Sequence, residues 1–167
     1  MIVIACGDRH WAEDYRFGRM PKHDRGRDEY ALLFNVLSDF HALRGIDVLY
    51  EGEQRGADQL AASWAYGQRI PVVPTRAKWT EHGECRCAAG EPRCKAAGPR
   101  RNREQLAKAL AASDQTAARI VVLAFHRSFQ ESKGTKDMVE IARRAGVEAH
   151  IFPGHGAGMD FQQTVWP

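Results

Sequence analysis

The sequence predicts a doubly wound parallel α/β fold of about five strands, and three observations carry that prediction. Short apolar runs at residues 2–5, 46–50, 72–73, 119–125 and 147–152 read as strands, most of them covered on both faces. Segments with apolar residues at helical spacing lie between them, and strand alternating with helix implies parallel strands joined by crossovers. Glycine and proline punctuate the joints, at Gly45, Gly52, Gly56, Gly67, Pro71 and Gly146. Residues 1–152 are expected to form this one domain. Residues 153–167, rich in glycine and without a period, form a tail whose Val165-Trp166 either docks on the body or frays.

Taken in order, the first strand ends in Cys6-Gly7-Asp8-Arg9-His10-Trp11. Residues 12–28 are polar and carry Gly18, Pro21 and Gly26, so they read as a long loop covering whatever lies at that end of the sheet. Helical spacing begins after Asp28 with Tyr30, Leu33, Phe34, Leu37 and Phe40, and Gly45 is placed to stop it. The second strand runs into Glu51-Gly52-Glu53-Gln54-Arg55-Gly56, and a helix follows at once with Ala57, Leu60, Ala61, Trp64 and Ala65 on one stripe. Residues 75–98 are irregular and hold Trp79, His82 and three of the four cysteines. Pro99 suits a first helical turn and opens a helix with Leu106, Ala109 and Leu110 inward. After the fourth strand and a loop over residues 126–133, Gly134-Thr135 enters a helix lined by Met138, Ile141, Ala142 and Ala145, which Gly146 ends.

Composition excludes several classes. A hydrophobic share of 44% with 27% charged residues is that of a globular domain rather than a disordered or fibrous chain. No apolar run approaches the roughly 18 residues of a spanning helix. The amino terminus lacks the basic lead of a signal peptide, so a cytoplasmic protein is expected. A net charge of +3 does not by itself argue for nucleic acid, and the run Arg16, Arg19, Lys22, Arg25 and Arg27 reads as a solvated face.

Chemistry is expected at the carboxyl ends of the strands. Gly52 and Gly56 allow either a tight turn or a close ligand, and a helix amino terminus offers N–H groups to an anion. Ser132, Lys133, Gly134 and Thr135 read either as a phosphate cradle or as a serine–glycine turn with Thr135 as a helix cap. Asp58 either complements its helix dipole or serves the site. Arg55 and Arg101 suit phosphates, and Asn102 a base edge or ribose hydroxyl. The acids on these loops, Asp8, Glu51 and Asp58, are the candidates should the protein cleave an N-glycosidic bond, which needs a carboxylate beside the anomeric carbon. His82, Cys85, Cys87 and Cys94 supply four soft donors in thirteen residues, enough for a tetrahedral structural zinc within an insert over residues 80–97; three free thiols are the alternative. Cys6 is expected to be a core residue.

Taken together, Gly7-Asp8-Arg9, Glu51-Gly52-x-x-Arg55-Gly56-Ala57-Asp58-x-x-Ala61, Trp79, Ala97-Gly98-Pro99-x-Arg101-Asn102, Val122-Leu123-Ala124-Phe125 and Ser132-Lys133-Gly134-Thr135-x-Asp137-Met138 resemble the YspA-type branch of the SLOG superfamily. The resemblance implies a Rossmann-like domain that binds a nucleotide or nucleotide-derived ligand such as ADP-ribose. It also implies pairing into a homodimer through helices. The same superfamily holds the Lonely Guy phosphoribohydrolases, whose motif glutamate is replaced here by Met138, and the DNA-processing protein DprA. Three functional classes follow: a nucleotide sensor or sequestering protein, an N-glycosidic hydrolase, and a single-stranded nucleic-acid binder.

Overall fold

A computed structural model describes residues 1–15 and 19–154. The expectation for Val165-Trp166 lies outside these residues, as do Arg16 and Gly18. In chain order the elements are β1 (Ile2–Gly7), α1 (Asp24–Arg44), β2 (Val48–Glu51), α2 (Ala57–Gly67), β3 (Val72–Pro74), α3 (Ala97–Thr116), β4 (Ile120–Phe125), α4 (Gly134–Arg144) and β5 (Glu148–Phe152), with one short 3-10 turn at Phe129–Glu131. All neighbouring strands are parallel, in the order β3-β2-β1-β4-β5. The fold is the expected doubly wound, Rossmann-like α/β sheet.

Period-two alternation explains why the strands are apolar throughout. Val3, Ala5, Val121, Leu123 and Phe125 face one layer with Leu33, Leu37 and Phe40 of α1 and Leu60 and Trp64 of α2. Ile2, Ile4, Cys6, Val122 and Ala124 face the other with Leu106 and Ala109 of α3 and Met138, Val139 and Ala142 of α4. Both faces of the central strands are therefore dry. The edge strand β3 has only three residues and ends in Pro74, which limits further pairing.

One helix start differs from the pattern reading and another agrees with it. Helix α1 starts at Asp24 rather than after Asp28. Its first inward positions are Gly26 and Glu29, which break the apolar stripe that marks the rest. Gly26 is buried against Pro21, where an added Cβ would come within 2.8 Å of the proline Cβ, so this glycine serves packing rather than a loop. Helix α3 starts at Ala97, which places Pro99 third in its first turn, where a missing N–H still costs nothing.

Glu29 also explains how residues 8–15 are held. Its carboxylate is buried and accepts from Arg127 Nη2 at 2.7 Å and from the Ala12 N–H at 2.7 Å, while its carbonyl accepts from Trp11 Nε1 at 2.8 Å. Arg127 Nη2 donates as well to the His10 carbonyl. One buried acid thus joins the β1–α1 loop, helix α1 and the β4–α4 loop. Breaking such a pair strands a charge in the interior. Arg127→Met is accordingly expected to lose about 3 kcal/mol of stability in urea unfolding, with more lost than in Glu29→Gln, which removes the stranded charge instead.

Candidate functional site

Because every strand is parallel, the turns after Gly7, Glu51, Pro74 and Phe125 all leave from one edge of the sheet. The chain runs outward from β1 through β2 to β3 on one side and through β4 to β5 on the other. The direction reverses between β1 and β4, which is where doubly wound sheets open a crevice for ligands. Asp8 to His10 border that crevice on one side and residues 126–133 on the other.

Three of the glycines predicted at this edge let the protein approach itself. An added Cβ at Gly7 would lie 2.1 Å from the Phe125 carbonyl oxygen and 2.6 Å from the Ala57 Cβ. At Gly56, where φ is +78°, it would lie 2.2 Å from the Asp8 carbonyl oxygen, and the Ala57 N–H donates to that same oxygen at 3.2 Å. At Gly52 it would overlap the Arg101 guanidinium, 1.0 Å from Nη1. Gly134 is different: nothing lies within 4 Å of the position its Cβ would take.

Behind Gly52 sits a cluster of ionisable groups. Asp58, in the first turn of α2, is buried, and its Oδ2 accepts from the Gly52 N–H at 3.1 Å and from Arg101 Nη1 at 3.3 Å. Burial raises the Asp58 carboxyl despite the opposing pull of Arg101. Glu51, also buried, accepts from the Glu53 N–H; burial first and the Asp58 charge second push its pKa up to about 7. The same burial and the same neighbour raise the thiol of Cys6, which is a core residue as expected. Arg101 Nε, Thr75 Oγ1 and Gln105 Nε2 are buried here with no partner among the described residues. Sequence reading did not single out Thr75 or Gln105, since a lone polar residue beside a strand or within a helix carries no pattern.

Residues 132–135 form the entrance to α4, and the hydroxyl that caps it is that of Ser132 rather than Thr135. Ser132 Oγ accepts from the Thr135 N–H at 3.0 Å and so caps the helix, and Thr135 is buried. Lys133 and Gly134 remain exposed. Asn102 is buried and donates to the Gly134 carbonyl at 3.0 Å and to Asp137 Oδ2 at 2.8 Å, so its carboxamide nitrogen ties α3 to α4. Arg9 and Arg55 are exposed, and Asp8 accepts from the His10 N–H at 2.8 Å. Phe125 is buried, stacked on Phe152 at 5.1 Å between ring centroids, with Trp11 at its edge. Met138 is fully buried in the α3/α4 layer, so the place of the Lonely Guy glutamate belongs here to the core.

The insert brings its four donors together. Ligating atoms of His82, Cys85, Cys87 and Cys94 all lie within 4.8 Å of one another, an arrangement compatible with a metal ion. His82 Nδ1 and Cys85 Sγ are 3.6 Å apart, Cys87 Sγ and Cys94 Sγ 3.9 Å, and the Lys95 N–H donates to Cys87 Sγ at 3.3 Å. Apart from these donors the insert packs only Ala77 and Ala97 with the half-buried Trp79 and Ala96.

The raised pKa of Glu51 has a measurable effect on stability. Between about pH 4.5 and 7 the folded chain keeps a proton on Glu51 that the unfolded chain has released, so stability falls as pH rises through that window. Glu51→Gln removes this dependence. Relative to the parent, the variant is expected to gain up to about 3 kcal/mol between pH 4.5 and pH 8 in urea unfolding.

No curated protein and no solved structure matches the chain. The family model of the YspA, cpYpsA-related SLOG family matches residues 1–82, from β1 through β3 to the first donor of the insert. The order of the Gly7, Gly52 and Gly56 turns on the sheet described above is what that segment contributes, and over it the chain is similar to the YspA, cpYpsA-related SLOG family.

Proposed function

We propose that the crevice between β1 and β4 binds a nucleotide or nucleotide-derived ligand of the ADP-ribose or NAD type, and that the protein acts as a sensor or sequestering protein. The observation that carries this reading is the reversal of strand order between β1 and β4, with the exposed entrance of α4 at Gly134 beside it. A phosphate there meets the positive end of α4 and the exposed Lys133, with Arg9 and Arg55 on the facing loops. The family match over residues 1–82 supports a nucleotide-related ligand. Binding is tested by calorimetry against AMP, ATP, NAD and ADP-ribose. Gly134→Val places its side chain in that space, so it is expected to fold normally and to lose binding by at least tenfold; equal affinity in the folded variant overturns the proposal.

A second reading, hydrolysis of an N-glycosidic bond, is favoured by Glu51. A carboxyl with a pKa of about 7 is suited to donate a proton to a leaving base near neutral pH. Chromatography of the same incubations separates the two readings, because only hydrolysis releases free base.

The insert is proposed to hold a structural zinc on His82, Cys85, Cys87 and Cys94. Sulfur at about 2.3 Å from a tetrahedral zinc lies roughly 3.8 Å from its neighbour, which fits the 3.9 Å between Cys87 and Cys94. The Lys95 N–H on Cys87 is the kind of outer contact that steadies a thiolate ligand. A homodimer belongs to the same family-based reading, and the exposed Leu43 and Tyr66 on α1 and α2 are apolar groups available to it. Native mass spectrometry of protein purified without chelator is expected to show one zinc per chain, lost in Cys94→Ser, and reports subunit number at once.

A further inference from the structure

We infer that the insert is a redox switch in which a hydroperoxide joins Cys87 to Cys94, zinc leaves, and the start of α3 loosens. This rests on the zinc proposed for the four donors and on no particular crevice ligand. The thiols are both close together and within reach of a small oxidant. Cys85 and Cys87 are half-buried rather than enclosed. Cys87 Sγ lies 3.9 Å from the Sγ of Cys94, seven positions further on, and Cys94 itself is fully buried. The remaining cysteine, Cys6, is buried in the layer under α3 and α4, so an oxidant meets the insert first.

The thiolate is both the metal ligand and the nucleophile, so a cysteine on zinc is already in its reactive form. The Cys87 sulfur attacks one oxygen of hydrogen peroxide, the O–O bond breaks, and the departing hydroxide takes a proton from solvent to become water. Cys87 then carries a sulfenic acid. The Cys94 sulfur attacks it, the S–S bond forms, and the hydroxyl leaves as a second water with a second proton. Two thiolates thus give up two electrons to one peroxide, and the products are one disulfide and two waters. Of the four donors only His82 and Cys85 are left, and two ligands do not hold a structural zinc, which takes four.

What the metal holds in place decides the effect of losing it. Besides the cysteines, the apolar packing of the insert consists of Ala77 and Ala97 with the half-buried Trp79 and Ala96, too little to fix these turns unaided. Cys94 is also the residue from which α3 departs. Its N–H donates to the Trp79 carbonyl at 2.7 Å, and its carbonyl accepts at 3.1 Å from the N–H of Ala97, the first residue of the helix. No side chain caps that end of α3, so the Cys94 carbonyl is one of few contacts that define it. One turn further on, Arg101 bonds Asp58 and Asn102 bonds the Gly134 carbonyl. The oxidation state of the insert is therefore felt at the residues that border the crevice. Because thiol exchange reopens a disulfide, the change is reversible.

The test uses the full-length protein, purified without chelator, its zinc content measured first, and then treated with hydrogen peroxide. Released zinc is followed with a chromogenic chelator, the bridge by peptide mass spectrometry, and backbone opening by amide hydrogen exchange. One zinc is expected to leave for each Cys87–Cys94 bridge formed. Exchange over residues 94–102 is expected to quicken about tenfold while β1 and β4 stay protected. Dithiothreitol with added zinc is expected to restore the starting state, and Cys87→Ser to show no bridge and no peroxide-dependent change in exchange. Reversal in the parent protein keeps the test independent of how that variant folds. Zinc retained under peroxide, a bridge between another pair, unchanged exchange over residues 94–102, or a change that dithiothreitol and zinc do not reverse overturns the inference. Protein that carries no zinc at the start overturns the metal site and this inference with it, whereas zinc present and retained overturns this inference alone.

Discussion

The backbone of Gly7 lies so close to the Phe125 carbonyl that no carbon atom fits between them, and the arrangement of the whole edge follows from that approach. Strand β1 is the central strand, and its last residue is in register with the last residue of β4. With a side chain at Gly7 the two strand ends would be forced apart, and α2, whose Ala57 presses on the same spot, would lose its seat. At this end of the sheet the strands therefore meet backbone against backbone. Gly56 repeats the device one layer out, against the Asp8 and Arg9 backbone.

The cluster behind Gly52 follows a similar constraint in charge rather than volume. Two buried acids, Glu51 and Asp58, share one arginine, and three further polar atoms nearby lack partners among the described residues. Two carboxylates against one guanidinium leave an unbalanced negative charge in a poorly solvated place, so one carboxyl retains its proton. Glu51 is the one that does so near neutrality, because Arg101 contacts Asp58 directly. An interior with this much unspent polarity is unusual for a region that only needs to pack.

Much of this was legible in the sequence, and what was not has identifiable physical reasons. Five strands could be read because each is apolar on both faces, and the alternation of strand and helix left a parallel sheet as the simplest arrangement. Spacing alone brought His82, Cys85, Cys87 and Cys94 together. The start of α1 was hidden because Gly26 and Glu29 occupy its inward face and look like loop residues in one dimension. Glycines at Gly7, Gly52 and Gly56 signal close approach, but the sequence does not say whether a ligand or the chain itself is what approaches. The Glu29–Arg127 pair spans 98 positions and depends on which loops the sheet order makes neighbours. Asn102 was read as a partner for a base edge or ribose hydroxyl; that its carboxamide nitrogen also reaches α4 depends on how the two helices pack, which no spacing in the sequence signals.

That last contact has a mechanical consequence. The first turn of α3 is fastened at both flanks: the Ala97 N–H donates to the Cys94 carbonyl, Arg101 reaches Asp58 at the head of α2, and Asn102 reaches Gly134 at the head of α4. This short piece of helix works as a strut between the thiol-bearing insert and two neighbouring helix heads. Tension or slack introduced at one of the three anchorages is transmitted to the others through a few rigid residues.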